Sequence, residues 1–525
     1  MTNVLDYLYA SAARLPDKVA LADPENSLTY RQLADRVRHG GTALAQYALP
    51  RQPIAVYTEK CCEAVAVFYS AVQAGCFYTF LDPSLPAVRL SHILEVLNPA
   101  VIVTDAKHMA GAQSLNAVCP VVLADELFAA QPNEAVLSAR RATACDTDPL
   151  YCNFTSGSTG IPKGVAVCHR SVIDFIEQFV PVFSFEENDV FANQAPLDFD
   201  VSVKDLYSAL KLGARVELLP RSYFSFPTKL MDHLAARKVT VLVWAVSALC
   251  IVSTMKGLEY NRPAQIHRVL FSGEVMPAKH LDYWRSFYPN AMFVNLYGPT
   301  EITCNCTYHI VTGTEEGILP MGRTFANERV FLLDENNCEI CAAQPDQPGE
   351  VCVAGTALAL GYYNDPDRTA AAFTQNPLNK LWPERIYRTG DLARYGADGL
   401  LYFVGRKDFQ IKHMGHRIEL GEIEAAAAAQ SGVERTCCLY LHESQTLLLV
   451  YSGTVEKRPL LTGLRSVLPQ FMLPTAFLKL DQLPVTKNGK LDRTAMTVAY
   501  EAAKEAEKAA KAARRATKSA ASGGI

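Results

Sequence analysis

Residues 151–164 read Tyr-Cys-Asn-Phe-Thr-Ser-Gly-Ser-Thr-Gly-Ile-Pro-Lys-Gly. A short apolar and aromatic run, Leu150 to Phe154, ends in Thr155, Ser156, Gly157, Ser158, Thr159 and Gly160, with Lys163 close behind. Glycines let backbone N–H groups turn toward a ligand, hydroxyls add donors, and the lysine adds positive charge. Together these residues make a cradle for a polyphosphate. The common NTPase loop requires Gly-Lys followed by Ser or Thr, whose hydroxyl sits on magnesium. Here Pro162 precedes Lys163 and Gly164 follows it. The spacing therefore predicts a loop that does not open a helix, with any magnesium held elsewhere. A plain surface loop is the competing reading of such a Gly/Ser run.

The chain that must position this loop has 525 residues, enough for two to four compact units. It is 49% hydrophobic and 20% charged, which predicts large buried cores and excludes global disorder. Net charge is 50 − 54 = −4, and no basic patch with interleaved aromatics stands out, so nucleic acid is not an expected partner. The N-terminal stretch lacks a basic start followed by an apolar core, so no signal peptide is expected. Fifteen cysteines without such a signal predict reduced thiols and a cytoplasmic location. Cys338-x-x-Cys341 is a lone pair, weak support for zinc. The long uncharged runs Ala64–Leu81 and Val239–Met255 read as a helix entering a strand and a strand entering a helix, so no membrane insertion is expected.

Residues 1 to about 150 alternate helix-like and strand-like segments, and the pattern resumes after the loop. Ile54–Tyr57, Val101–Thr104, Val121–Leu123, Val165–Val167, Val216–Leu219, Val239–Val243, Val269–Phe271 and Met292–Asn295 read as buried strands, and Glu63–Ala74 and Ser171–Phe179 as helices. Such repetition predicts α/β architecture with largely parallel sheet covered on both faces. From about 320 the texture changes to short strands and turns, with a hairpin signal at Gly396-Ala397-Asp398-Gly399. Residues from about 409 to 493 read as a small α+β unit, and 494–525 as a basic, Ala-rich solvated helix.

Six further motifs stand in order along the chain. They are Phe199-Asp200-Val201-Ser202, Tyr297-Gly298-Pro299-Thr300-Glu301, Tyr387-Arg388-Thr389-Gly390-Asp391 and Gly405-Arg406-Lys407-Asp408. Arg417-Ile418-Glu419-Leu420-Gly421-Glu422 and Pro484-Val485-Thr486-Lys487-Asn488-Gly489-Lys490 complete the set. With the first loop, this series resembles the adenylate-forming enzymes: acyl-CoA synthetases, luciferases and nonribosomal peptide synthetase adenylation domains. The likeness runs from about Leu28 to Arg493. It implies a large N-terminal domain, 1–407, of two doubly wound sheets plus a small β-barrel. The phosphate loop would be 155–164 and the β-rich part about 320–407. A small mobile α+β domain, 408–493, would follow with its hinge at Asp408, and then the helical tail 494–525.

The resemblance further implies ATP and Mg²⁺. Thr155, Ser156, Gly157, Ser158, Thr159, Gly160 and Lys163 would hold phosphates, and Thr300 would contact the α-phosphate. Glu301 would be the metal ligand. Tyr297, in its motif with Gly298, would stack on adenine, and Asp391 would accept from the ribose hydroxyls with Arg406 nearby. Lys490 would be the catalytic lysine, touching both the substrate carboxylate and the phosphate. Read without its motif, Tyr297 is an ordinary core aromatic, Arg406 an ordinary surface charge and Asp200 an ordinary helix N-cap.

Asp200 makes the chain look most like the amino-acid-activating members, where that carboxylate pairs with the substrate's α-ammonium. The amino-acid pocket implied by position is Asp200, Val201, Lys204, Val243, Leu270, Ser272, Gly273, Leu296, Cys304, Asn305 and Lys490. Mostly apolar walls imply a small, alanine-like side chain. For Lys204 the expectation is a stem along the wall with its ammonium in water; pointing inward it would favour an acidic or polar side chain. The family's stand-alone D-alanine–carrier protein ligases offer the nearest likeness, but Ser272 stands where they carry Cys, so L-alanine, glycine and serine remain open. The implied partner is a carrier protein with a phosphopantetheine thiol, and further synthetase modules are compatible with the Ala-rich tail. An acyl- or aryl-CoA ligase is the alternative within the same chemistry, and a non-catalytic nucleotide-binding scaffold the alternative outside it.

Overall fold

The computed structural model describes residues 1–157, 161–315, 317–441, 444–485 and 491–522, with side chains up to residue 511. Ser158, Thr159, Gly160 and Lys490, four of the expected site residues, lie outside the described residues. The chain divides into two compact units, one built mainly from Met1–Thr155 and Pro162–Asp408, the other mainly from Ile418 onward.

Two large sheets dominate the first unit. In one, five parallel strands, Pro149–Thr155, Phe77–Leu81, Pro53–Tyr57, Val101–Thr104 and Val121–Leu123, lie side by side. The central strands Pro53–Tyr57 and Phe77–Leu81 are buried at every position, as expected where helices cover both faces. The second sheet has nine strands. Six of them are parallel: Met292–Tyr297, Arg268–Ser272, Val241–Ala245, Val190–Asn193, Arg215–Leu218 and Val19–Ala22. Helix Tyr30–Leu44 starts at a capping box, in which the Thr29 hydroxyl and the Gln32 side chain satisfy each other's backbone N–H groups. Helix Cys62–Gln73 ends before Gly75, whose φ of 75° closes the turn into Phe77–Leu81.

The expectation that the chain does not enter a helix at Lys163 holds. Strand Pro149–Thr155 returns as the antiparallel strand Lys163–Cys168, with Thr155 opposite Lys163, so the loop joins two strands and opens no helix. Gly164 is required there because a Cβ would lie 2.7 Å from Cys152 Sγ and 2.9 Å from the Phe154 ring.

Between residues 328 and 406 lies a six-stranded antiparallel sheet. This is the region where a small β-barrel was expected, and in it Arg385–Tyr395 carries Phe373–Gln375 and Leu401–Arg406 in succession along its length. Strands Arg385–Tyr395 and Leu401–Arg406 form the expected hairpin.

In the second unit, strands Val433–Leu441, Thr446–Gly453 and Ala476–Lys479 form one sheet. Helices Leu420–Ala428 and Lys457–Val467 pack on it through Ile423, Leu460 and Leu464 against Leu449 and Tyr451. Arg493, at the start of helix Arg493–Ser522, stacks over Phe409 and donates to Glu424 Oε1 at 2.9 Å. Among the described residues no helix is long and apolar enough to cross a membrane.

Candidate active site

In open α/β sheets, ligands bind outside the carboxyl ends of the strands. Of the expected pocket residues, Ser272 and Leu296 stand at or next to such ends, with Val243 and Leu270 further into their strands. Val243 pairs with Leu270 and Ser272 with Leu296 across three adjacent parallel strands. Strand Met292–Tyr297 then delivers Gly298, Thr300 and Glu301, and helix Val201–Leu212 carries Val201 and Lys204. Asp200, just ahead of that helix, is buried and makes no side-chain cap bond, so the N-cap reading does not apply to it.

Glu301 is fully buried in a short 3₁₀ turn. Its carboxylate accepts from Arg417 Nη1 at 2.7 Å and from the Tyr362 hydroxyl at 2.8 Å, and Lys163 Nζ lies 3.4 Å away. Burial alone would raise its pKa, but the Arg417 and Lys163 charges and the Tyr362 bond outweigh it, holding the carboxyl well below its usual range. Lys163 also sits over the Tyr362 ring, 4.8 Å from its centroid. Opposite Lys163, the Thr155 Oγ1 is buried and has no hydrogen-bond partner among the described residues. Buried hydroxyls are nearly always bonded, so this orphan beside a lysine suits a phosphate oxygen.

Asp391 forms a second ionic cluster. Oδ2 accepts from the Tyr297 hydroxyl at 2.6 Å and Oδ1 from Arg406, whose guanidinium also takes both oxygens of Asp408 at 2.7 Å. A carboxylate offers about four lone-pair directions, so Asp391 retains acceptor capacity. Tyr297 is a buried member of the main core. Arg406 is only 12% exposed, so it is not an ordinary surface charge.

Lys204 departs from expectation. Its side chain is fully buried, and Nζ donates to Asn305 Oδ1 at 2.8 Å rather than reaching water. The reason is local: Ser202 through Leu210 are all buried, so this helix has no wet face to which the stem could turn. Desolvation lowers the Lys204 pKa, opposed by the fields of Cys304, Asp200 and Asp205. Next to it, burial pushes Asp205 up to about 7 despite the Asn193 amide bonded to it.

The turn bearing Cys304 and Asn305 is strained. Thr303 and Cys304 have φ of 49° and 74°, consecutive left-handed residues that carry side chains. Thr303 Oγ1 holds it by donating to Ala357 O at 2.8 Å, and Cys304 Sγ by donating to Asp200 O at 2.9 Å. Gly298 permits the close approach, since a Cβ there would lie 2.5 Å from both Cys304 O and the Asn305 Cα. Lys60 braces the other side, donating to the carbonyls of Asn193, Gln194 and Ala195 in the segment leading to Asp200.

Tyr362, Arg417, Asp205 and Lys60 were not singled out by the sequence reading. Arg417 at least lay inside a recognisable motif, whereas Tyr362 carried no local signal. Cys338 and Cys341 are exposed, and no group of three or more His, Cys, Asp or Glu side chains among the described residues could hold a metal.

With this geometry in place, residues 8–363 match the profile of the family described as AMP-binding enzyme. The chain belongs to that family. It is similar to the zwittermicin A synthase ZmaJ of Bacillus cereus, 31% identical over 508 residues that cover 92% of this chain and 93% of that one. A dimodular nonribosomal peptide synthase of Bacillus subtilis is 30% identical over 94% of this chain, but the match spans only 21% of that much longer protein. Among solved structures, PA1221 in its holo form, described as a nonribosomal peptide synthetase protein with adenylation and PCP domains, superposes with a TM-score of 0.81 at 29% identity, covering 94% of this chain and 84% of that one. These likenesses place the chain in the adenylate-forming ligase superfamily and give it an adenylation-domain fold.

Proposed function

We propose that this adenylation domain activates an amino acid with ATP and then passes it to the phosphopantetheine thiol of a carrier protein. In the first half-reaction a carboxylate oxygen of the amino acid bonds to the α-phosphorus, the bond to the bridging oxygen breaks, and pyrophosphate leaves. In the second, the thiol sulfur bonds to the acyl carbon and AMP leaves. Such transfers depend on positioning and charge neutralisation more than on covalent help from the protein. The observation that carries the amino-acid reading is Asp200, a buried carboxylate that does not cap its helix, set where an α-ammonium would pair with it.

Lys163 and the Thr155 hydroxyl would take phosphate oxygens, and Asp391 the ribose. Thr300 would meet the α-phosphate, and Tyr297 the adenine. Ser156, Gly157, Ser158, Thr159 and Gly160 would line the phosphates with backbone N–H groups and hydroxyls, and Lys490 would join carboxylate to phosphate. Glu301 suits Mg²⁺: it is one carboxylate kept ionised, and this hard cation is commonly held by one or two carboxylates plus substrate phosphates. When bound, the cation neutralises phosphate charge. Val243, Leu270 and Leu296 favour a short side chain, alanine-like in girth.

Carrier transfer draws support from relatives whose adenylation domains adjoin PCP domains. The hinge at Asp408 belongs to the same proposal. Asp408→Pro would block thioester formation, but since Asp408 also holds Arg406, a modest rise in KM for ATP is expected alongside.

The test is ATP–pyrophosphate exchange with Mg²⁺ against single amino acids, followed by loading of a phosphopantetheinylated carrier. Exchange with an amino acid supports the reading. Exchange only with carboxylic acids lacking an amino group, with thioester formed on free CoA, would replace it with an acyl- or aryl-CoA ligase.

A further inference from the structure

One enclosed carboxyl lies outside the clusters described above and has no place in the proposed reaction. Glu328 opens strand Glu328–Leu333 and pairs with Gly355. Its Oε1 accepts from the Ala357 N–H at 2.8 Å, and its Oε2 is buried without a partner among the described residues. The charged group that acts on it is Asp174 of helix His169–Val182, another carboxylate. Burial pushes the Glu328 carboxyl up to about 8, opposed by the Ala357 bond and aided by Asp174. Glu328 therefore serves as a neutral acceptor for one backbone N–H and not as half of an ion pair. Gly355 makes room for it, since a Cβ there would lie 2.6 Å from Oε2.

The backbone that Glu328 holds leads straight to the Glu301 turn. Ala357 O accepts from Thr303 Oγ1 at 2.8 Å, and the Ala359 N–H donates to Glu301 O at 2.9 Å. The same segment ends at Tyr362, whose hydroxyl donates to Glu301 Oε1 and whose backbone pairs with Val165 in the strand that begins at Lys163. One short stretch of chain thus grips the Glu301 turn by backbone and side chain, and the Lys163 strand by its ladder. Thr303 closes that turn at a φ of 49°. A left-handed residue with a side chain persists only where its surroundings over-determine it. Ala357 supplies the acceptor for Thr303, and Glu328 supplies the acceptor for Ala357.

We infer that Glu328 is a positioning residue: by fixing Ala357 it sets the segment that holds the Glu301 carboxylate in place beside Lys163. This rests on the reading above for the role of Glu301 toward Mg²⁺. Groups that orient a metal-binding carboxylate change metal affinity or activity by roughly 10- to 100-fold when they are removed. Glu328 acts through Ala357 and not on Glu301 directly, so the lower end, about tenfold, is expected.

The experiment measures ATP binding to the full chain by calorimetry, with and without Mg²⁺, and the Mg²⁺ concentration that half-saturates ATP–pyrophosphate exchange. Glu328→Leu should raise that concentration about tenfold and remove most of the gain in ATP affinity that Mg²⁺ gives, while affinity without metal stays within about twofold. Glu328→Gln should behave as the wild-type protein, because its amide oxygen accepts from Ala357 and its side chain is uncharged. Thr303→Val cuts the next link, so it should reproduce the shift, and the double variant should add little to either. A smaller fraction of chains binding ATP, at an unchanged Mg²⁺ requirement, would reduce Glu328 to a stability role and overturn the inference. Additive effects in the double variant would overturn it as well. Should Glu328→Leu fail to fold, Thr303→Val decides: an unchanged Mg²⁺ requirement there breaks the chain of contacts. If no amino acid supports exchange, amino-acid activation falls, while the Mg²⁺ dependence of ATP binding still decides the role of Glu328.

Discussion

Two buried polar clusters in the large unit face opposite electrostatic situations. Around Glu301 and Asp391 every carboxylate is matched by cations and hydroxyls of the protein itself: Lys163, Arg417 and Tyr362 for one, Arg406 and Tyr297 for the other. Around Lys204 the bonded partner is a neutral amide, Asp200 stands a helical turn away, and Asp205 is driven toward its neutral form. The first cluster is preorganised, and suits a ligand part that is the same in every reaction cycle. The second is held by neutral groups and by fields rather than by a bonded counter-ion on Lys204 among the described residues, and in the proposal above it faces the amino acid.

The largest test of that contrast is Asp200→Asn. Removing one partner of a buried charge pair costs about 3–5 kcal/mol, roughly 10²-fold to several thousand-fold. Amino-acid-dependent exchange should fall by that much, while nucleotide affinity by calorimetry stays within about twofold. A comparable loss of nucleotide binding would show that the two clusters act as one. Next in size, Asp391→Asn should raise KM for ATP about tenfold, the scale of one bond to a charged group, with KM for the amino acid little changed. Gly298→Ala should be smaller and should act on the amino-acid side. The added methyl meets backbone at Cys304 and Asn305, which cannot rotate away, so Asn305 must shift off Lys204. A stability loss of about 1–3 kcal/mol with a raised amino-acid KM is expected, by thermal unfolding and exchange kinetics.

Much of the arrangement around Lys163, Glu301 and Asp391 was legible in the sequence because its determinants are local. Pro162 and Gly164 around Lys163 argue against a helix after the loop, and the chain duly returns as a strand. Tyr297 to Glu301 and Arg406 to Asp408 are short continuous stretches whose residues do meet one another's neighbours in space. Tyr362 escaped notice because it reaches Glu301 from 61 positions away and has no motif of its own. Lys204 was misjudged for a different reason. A lysine on a pocket wall is expected to lay its stem along the wall and carry its ammonium to water, yet this helix is enclosed, so the whole side chain is internal. Sequence periodicity reports amphipathicity, and a helix buried all round removes that signal. The paired left-handed residues Thr303 and Cys304 were equally hidden, since neither is a glycine or asparagine that would advertise the conformation.

The smallest effect is also the one that separates the clusters by sign. Glu301 has a depressed pKa, so its contribution to stability is present above its ordinary value of 4.5 and is lost as pH falls below that. Asp205 behaves oppositely. Its pKa is raised from 3.8 to about 7, so the folded state binds a proton that the unfolded chain has already released. Its favourable contribution is therefore full below about pH 4 and is lost as pH rises through about 7. Asp205→Asn keeps an uncharged group of the same shape and should flatten that slope, changing Tm by a few degrees at most between pH 5 and pH 8 for a chain of this size. Glu301→Gln should leave the same interval unchanged and alter only the acid limb. Were Asp205→Asn to leave the pH 5–8 slope intact, Asp205 would have to be ionised in the folded protein. It would then be a buried charge beside Lys204, and the contrast between the two clusters would narrow.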